Sequence, residues 1–123
     1  MGQQCKMINP NNLLINKDSI IRDAISKIDK NASGIVYVQN SKNQIIASLT
    51  DGDIRRAFLK GKKISDKIIK CYNTKFVYVN DLKNSEHILK LLDRKINLIP
   101  VLSKYKKLIQ FIDRNYKPIT KKK

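Results

Sequence analysis

Ile45-Ile46-Ala47-Ser48-Leu49-Thr50-Asp51-Gly52-Asp53-Ile54-Arg55-Arg56-Ala57 passes from a short apolar run, through a polar step, into a segment with helical spacing. Ile45 to Leu49 reads as a strand, and Gly52 to Leu59 as the amphipathic helix that follows it. A strand that ends at the first turn of a helix directs free backbone N–H groups at whatever sits there, which favours a phosphate. The second half of the chain rebuilds the approach to this junction without its ending. Sliding Asp18 onto Asp81, a shift of 63 residues, brings the apolar positions into step without a gap. Ile25 falls on Ile88, Ile28 on Leu91, Ile35 on Leu98, Val38 on Val101, Ile45 on Leu108 and Ile46 on Ile109. In the same register Thr50 falls on Asp113 and Asp53 on Tyr116, so the two halves share a scaffold but not a site.

Outward from the junction, residues 1–12 form a polar lead-in and residues 13–61 the first repeat. Leu13-Leu14-Ile15 is a short strand, and Asp18 or Ser19 is placed to cap a helix whose Ile21, Ala24, Ile25 and Ile28 keep the 3.6 spacing. Asn31 to Gly34 breaks that helix, Ile35 to Val38 is a buried strand, and Ser41-Lys42-Asn43 is a hairpin turn. Gly61 suits the left-handed position after the second helix. Residues 62–75 link the repeats, with Ile64, Ile68 and Ile69 spaced for a short helix. The second repeat, 76–116, has a strand Phe76 to Val79, a helix capped by Asn84 or Ser85 and running through Leu92, and paired strands Leu98 to Leu102 and Leu108 to Ile112. Pro118 and the lysines of the basic tail, 117–123, leave little room for a final helix. The expected fold is therefore α/β (α+β): two pseudo-symmetric β-α-β-β-α repeats, the second truncated at its final helix.

A length of 123 residues supports one domain, so two repeats must share a core. The apolar stretches are too short for a membrane span and the start lacks the pattern of a signal peptide, which points to the cytoplasm. Cys5 and Cys71 form no C-x-x-C pair and are expected to be reduced. A net charge of +16 raises nucleic acid as a partner. The charge is mostly scattered Lys accompanied by Ile and Asn, a mixture that a nucleotide bias toward A and T produces unaided, and only Lys121 to Lys123 form a run. Aromatic residues at 7% are too dispersed for a base-stacking platform, so nucleic acid ranks last. His87 stands alone, nothing groups as metal ligands, and no nucleophile has a base partner or phosphate-binding glycine loop beside it. Neither catalysis nor a cofactor is expected.

At the junction, the Thr50 hydroxyl and the helix amides can donate to phosphate, while the Asp53 carboxylate can accept from both hydroxyls of a ribose. Thr50-x-x-Asp53 is also the spacing of a capping box, which stabilises a helix by about 1 kcal/mol with no ligand present. The two readings are compatible.

A repeated strand-helix-strand-strand-helix unit with this T-x-x-D step resembles the cystathionine-beta-synthase (CBS) domain family. The residues that carry the likeness are Ile45 to Ala57 and, in the second repeat, Ile99-Pro100-Val101-Leu102, within a span from Leu13 to Tyr116. Thr50 to Ala57, TDGDIRRA, is similar to a subgroup in which a CBS pair precedes a sugar-phosphate nucleotidyltransferase domain. The resemblance implies a regulatory module that binds AMP, ADP or ATP in a cleft between the repeats, signals to a partner enzyme and assembles as a homodimer. It places Thr50 on phosphate and Asp53 on ribose. It places Asn16, with Lys17, and Ser33 and Gly34, with Ala32, along the base pocket. Arg56, with Arg55, is near enough to reach an anion or a partner subunit. Asp113, Tyr116 and the bulkier Lys95, Ile96 and Asn97 depart from the pattern, so the second pocket is expected to be empty or altered. A ligand-free dimerisation scaffold is the alternative.

Overall fold

The computed structural model describes residues 10–80, 98–113 and 118–119. After a single 3-10 turn, Pro10–Leu13, the first repeat runs β1 (Leu14–Asn16), α1 (Ile21–Asn31), β2 (Ile35–Gln39), β3 (Ile45–Thr50) and α2 (Asp51–Leu59). β1 lies parallel to β2, with Asn16 opposite Gln39; β3 lies antiparallel on its other side, with Thr50 opposite Ile35. α1 buries Ile21, Ala24 and Ile28, positions three and four apart, against this sheet. Val36, Val38, Ala47 and Leu49 meet them from the strands, and Ile54 comes from α2.

The second repeat contributes β4 (Leu98–Leu102), β5 (Leu108–Asp113) and β6 (Pro118–Ile119). Its strand pairing reproduces that of the first residue by residue at the shift of 63: Ile35↔Thr50 becomes Leu98↔Asp113, and Tyr37↔Ser48 becomes Pro100↔Phe111. The irregularity is copied too, between Val38 and Gln39 in one hairpin and between Val101 and Leu102 in the other. Even the turns agree. Asn43 and Lys106 both adopt positive φ, 62° and 67°. Asn40 Oδ1 accepts from the amides of Lys42 and Gln44, as Ser103 Oγ does from those of Tyr105 and Lys107. The two turns meet at an antiparallel bridge between Gln44 and Lys107, themselves 63 apart, and the Ile45 amide donates to the Lys106 carbonyl at 2.8 Å. That bridge marks the local two-fold axis. Leu13, Tyr37 and Ile45 from one repeat pack with Leu98, Leu102 and Phe111 from the other, so the faces turned away from the helices form one shared core.

Four local expectations are corrected. The α1 cap is Ile20, with no side-chain bond; neither Asp18 nor Ser19 serves. The Asp18 amide is held by Asn16 Oδ1 at 2.8 Å, and the first helical amides, Ile21 and Arg22, donate instead to the linker carbonyls of Asp66 and Ile64. The linker has only a single 3-10 turn, Ile68–Lys70, in which Ile68 is buried under the helices while Ile64 and Ile69 are exposed. Phe76 to Val79 forms no strand of its own: Val79 alone pairs, parallel to Val101. The chain end adds a short strand, with Ile119 opposite Phe111. The expected helix from Asn84 or Ser85 to Leu92, and Tyr116, lie outside the described residues.

The placement of β6 shows how the second copy is shortened. In the first repeat Asn73 returns to the sheet edge opposite Ser48, the position equivalent to Phe111. Residues 51–72, 22 in number, separate Thr50 from Asn73, whereas four residues separate Asp113 from Pro118. Four residues cannot hold a counterpart of the nine-residue α2.

Candidate functional site

A cleft of about 310 Å3 opens where β2 begins and β3 ends, between the two repeats. Ser33, Gly34, Tyr37, Ser48 and Thr50 line it from the first repeat, Asn73 and Lys75 from the linker, and Phe76 and Leu98 from the second repeat. Its volume falls at the small end of the range for small-molecule sites, roughly 300–1,000 Å3.

The floor of the cleft is fixed by local hydrogen bonds. Asn31, 3% exposed, donates from Nδ2 to the carbonyls of Asn12 (2.8 Å) and Ile35 (3.0 Å) and accepts from the Ser33 amide at 2.7 Å. Gly34, at φ +75°, turns the chain into β2, and its carbonyl receives the Asp51 amide at 3.0 Å, joining the start of β2 to the start of α2. The capping box is formed: Thr50 Oγ1 accepts from the Asp53 amide (3.1 Å) and Asp53 Oδ2 from the Thr50 amide (3.0 Å). Asp53 Oδ1 also accepts from Arg56 Nη2 at 2.9 Å. A hydroxyl that accepts one bond keeps its own proton to donate, so Thr50 retains a donor at the cleft.

One wall is aromatic. The Tyr37 and Phe76 rings meet edge-on, centroids 6.1 Å apart. Tyr37 Oη donates to the Leu98 carbonyl across the repeats at 3.3 Å, and burial pushes its phenol far above the ordinary range, so it remains a neutral donor. Asn73 and Ser48 exchange both backbone hydrogen bonds, which fastens the linker to β3, and Asn73 Oδ1 accepts from the Lys75 amide. Exposed Lys75 supplies a cation at the rim. Ser48 is 5% exposed, and among the described residues its hydroxyl has no hydrogen-bond partner. Below α2, the half-buried Cys71 thiol is pushed up by burial and secondarily by the Asp53 carboxylate, which keeps it protonated.

Of the residues expected at a site, Thr50, Ser33 and Gly34 are brought together in the cleft, and Asp53 and Arg56 lie beside it on the first turns of α2. The Arg56 guanidinium folds back over Gly52, where an added Cβ would stand 3.1 Å from Nη1. Asn16 is not among them. Because β1 runs parallel to β2, its last residue lies at the end of β2 opposite to the Ile35–Thr50 pair, where it lines a separate polar cleft with Ser19, Asp23 and Lys27. Lys17 follows it there, its amide bonded to Gln39. Ala32 is the left-handed C-cap of α1, and Arg55 is exposed. Tyr37, Ser48, Asn73, Lys75, Phe76 and Leu98 escaped the sequence reading. Ser48, the one polar residue within Ile45 to Leu49, carried a signal; the linker residues carried none. Among the described residues no cluster of His, Cys, Asp or Glu could hold a metal ion, and no helix is long and apolar enough to cross a membrane.

Residues 6–60 match the family model described as CBS domain. No curated protein sequence matches the chain. Among solved structures, Staphylococcus aureus OpuCA is similar with a TM-score of 0.70 and 16% identity, over 89% of this chain and 90% of that one. The Listeria monocytogenes CbpB protein, solved with c-di-AMP, gives a TM-score of 0.73 and 18% identity, over 89% of this chain and 86% of that one. A CBS domain protein from Pyrobaculum aerophilum, complexed with AMP, gives 0.66 and 16%, over 84% and 80%. Segment 6–60 thus resembles a CBS domain, and the described residues have the fold of the solved CBS-domain pairs, their two-fold being the register repeat described above.

Proposed function

We propose that the chain is a cytoplasmic regulatory module that binds an adenine nucleotide, AMP, ADP or ATP, in the cleft between its repeats. The observation that carries this reading is the composition of the cleft: an aromatic and aliphatic wall of Tyr37, Phe76 and Leu98, with Thr50, the cap of α2, and Lys75 at its polar end. A flat base suits the first, and phosphate suits the second. Ser33 and Gly34 are small enough to admit the sugar and base. Asp53 would take the ribose by giving up Arg56, and Arg56, so released, would be free to meet an anion. Asn16 has no part in this arrangement. Solved structures of similar fold complexed with AMP, ATP and c-di-AMP support an adenine ligand.

A ligand held between linker, β3 and β4 touches both repeats, and its differential affinity for two arrangements of them would set the state of a partner enzyme. The resemblance of Thr50 to Ala57 favours a sugar-phosphate nucleotidyltransferase as that partner. Phe58 and Leu59, 41% and 81% exposed at the end of α2, favour pairing with a second copy. The completed capping box gives the ligand-free dimerisation scaffold its own support, since Thr50 and Asp53 are already satisfied by each other.

Calorimetric titration with AMP, ADP and ATP decides between them. Saturable binding at one site per chain, weakened at least tenfold by Lys75→Glu, is expected; no heat at millimolar nucleotide leaves the scaffold.

A further inference from the structure

Ser48 stands out because nothing in the protein explains its hydroxyl. It sits in mid-strand, 5% exposed, opposite Tyr37 in the ladder, with its backbone N–H and carbonyl both bonded to Asn73 on the other side. Its side chain lines the cleft and has no hydrogen-bond partner among the described residues. A buried hydroxyl without a partner is unfavourable, and such groups in native proteins are uncommon. The equivalent position in the second repeat shows what the scaffold alone requires there: Phe111, fully buried and packed against the Tyr37 ring with centroids 5.5 Å apart. An apolar side chain therefore satisfies this register position, and the first repeat departs from it only where the cleft opens.

We infer that the Ser48 hydroxyl is a specificity-determining ligand contact, bonded to the polar edge of the base. This deepens the nucleotide reading and rests on it. Ser48 lies two residues from Thr50 on the same face of β3, roughly 7 Å along the strand. With phosphate at Thr50 and the rim cation Lys75, that step carries the ligand across its ribose and sets its ring system beside Ser48. There Tyr37, Phe76 and Leu98 supply apolar contact but few polar groups to read a base edge. A hydroxyl can both donate and accept, so it can serve a ring nitrogen or an exocyclic amine. Apolar substitution removes the reader of the base while leaving the stacking wall in place.

The test compares wild type with Ser48→Ala, and Ser48→Thr with Ser48→Val, which match in shape and differ in the hydroxyl. With AMP as the probe, Ser48→Ala is expected to bind about tenfold more weakly than wild type. Ser48→Thr should bind about tenfold more tightly than Ser48→Val, and both ratios should persist with 2′-deoxy-AMP. Thermal melting separates this role from a structural one: without ligand, Ser48→Ala should melt at or above the wild-type temperature, because an unpaired hydroxyl has been removed. Unchanged AMP affinity in Ser48→Ala overturns the assignment, as does a lowered melting temperature. Loss of the ratios with the deoxynucleotide moves the contact to the ribose and overturns the base assignment. Failure of the wild type to bind any adenine nucleotide overturns the functional reading itself, whereas wild-type binding with an indifferent Ser48→Ala overturns only this inference.

Discussion

Thr50 and Asp53 hold each other: the hydroxyl of one accepts from the amide of the other at 3.1 Å, and the carboxylate of the second accepts from the amide of the first at 3.0 Å. The pair therefore stabilises α2 whatever else it does. Thr50→Ala or Asp53→Ala should each cost about 1 kcal/mol in urea denaturation. The double variant should cost clearly less than the sum, because each half of the box depends on the other. Thr50→Ser should restore the wild-type value.

Arg56 makes the weaker contact. Its ion pair with Asp53 leaves the Arg56 side chain 61% exposed, and exposed pairs contribute little. Arg56→Ala should change stability by no more than about 0.5 kcal/mol at moderate salt, and less at high salt. A larger loss would mean that the guanidinium supports the backbone at Gly52.

Asn31 is the opposite case, because its buried amide, at the last residue of α1, satisfies two carbonyls and one backbone N–H that are themselves partly buried. Asn31→Ala should destabilise the chain by about 1–3 kcal/mol, measured by chemical denaturation, since those partly buried groups lose their partners. The Ser33–Gly34 wall of the cleft should loosen with it, so nucleotide affinity and stability should fall together. Gly34→Ala should cost about 1–2 kcal/mol from its positive φ alone.

Tyr37 sets the pH dependence at the alkaline end. Burial raises its folded-state pKa above the unfolded value, so its contribution is fully present below the ordinary tyrosine pKa and is lost as pH rises through the raised one. Cys71, raised by burial and by Asp53, acts in the same direction from the thiol range upward. Stability followed by denaturant titration should decline above about pH 10. Tyr37→Phe should flatten that decline while costing about 1 kcal/mol at neutral pH for the lost bond to Leu98.

The scaffold was legible where the physics is periodic. The 63-residue shift that aligned Ile35 with Leu98 and Ile45 with Leu108 is the register of the two hairpins, extending to the bulge and the left-handed turn residue. The α1 start was misread because its amides are capped by linker carbonyls more than 40 residues away in sequence, a partner no local motif announces. Asn16 enters the expected base pocket through the family resemblance alone, and the parallel sense of β1 against β2 sends it and Thr50 to opposite ends of the sheet. Lys75 reads as linker and Phe76 as the start of a strand, and both became cleft because Asn73 is pinned to Ser48.

The four-residue connection between β5 and β6 breaks the two-fold at the place where an anion would be met. A scaffold with matching hairpins but, among the described residues, a single helix mouth at the cleft has a polarity, so each chain should titrate hyperbolically, with a Hill coefficient of about 1. Any steeper dose response must then originate between chains, at the contact one subunit makes with another.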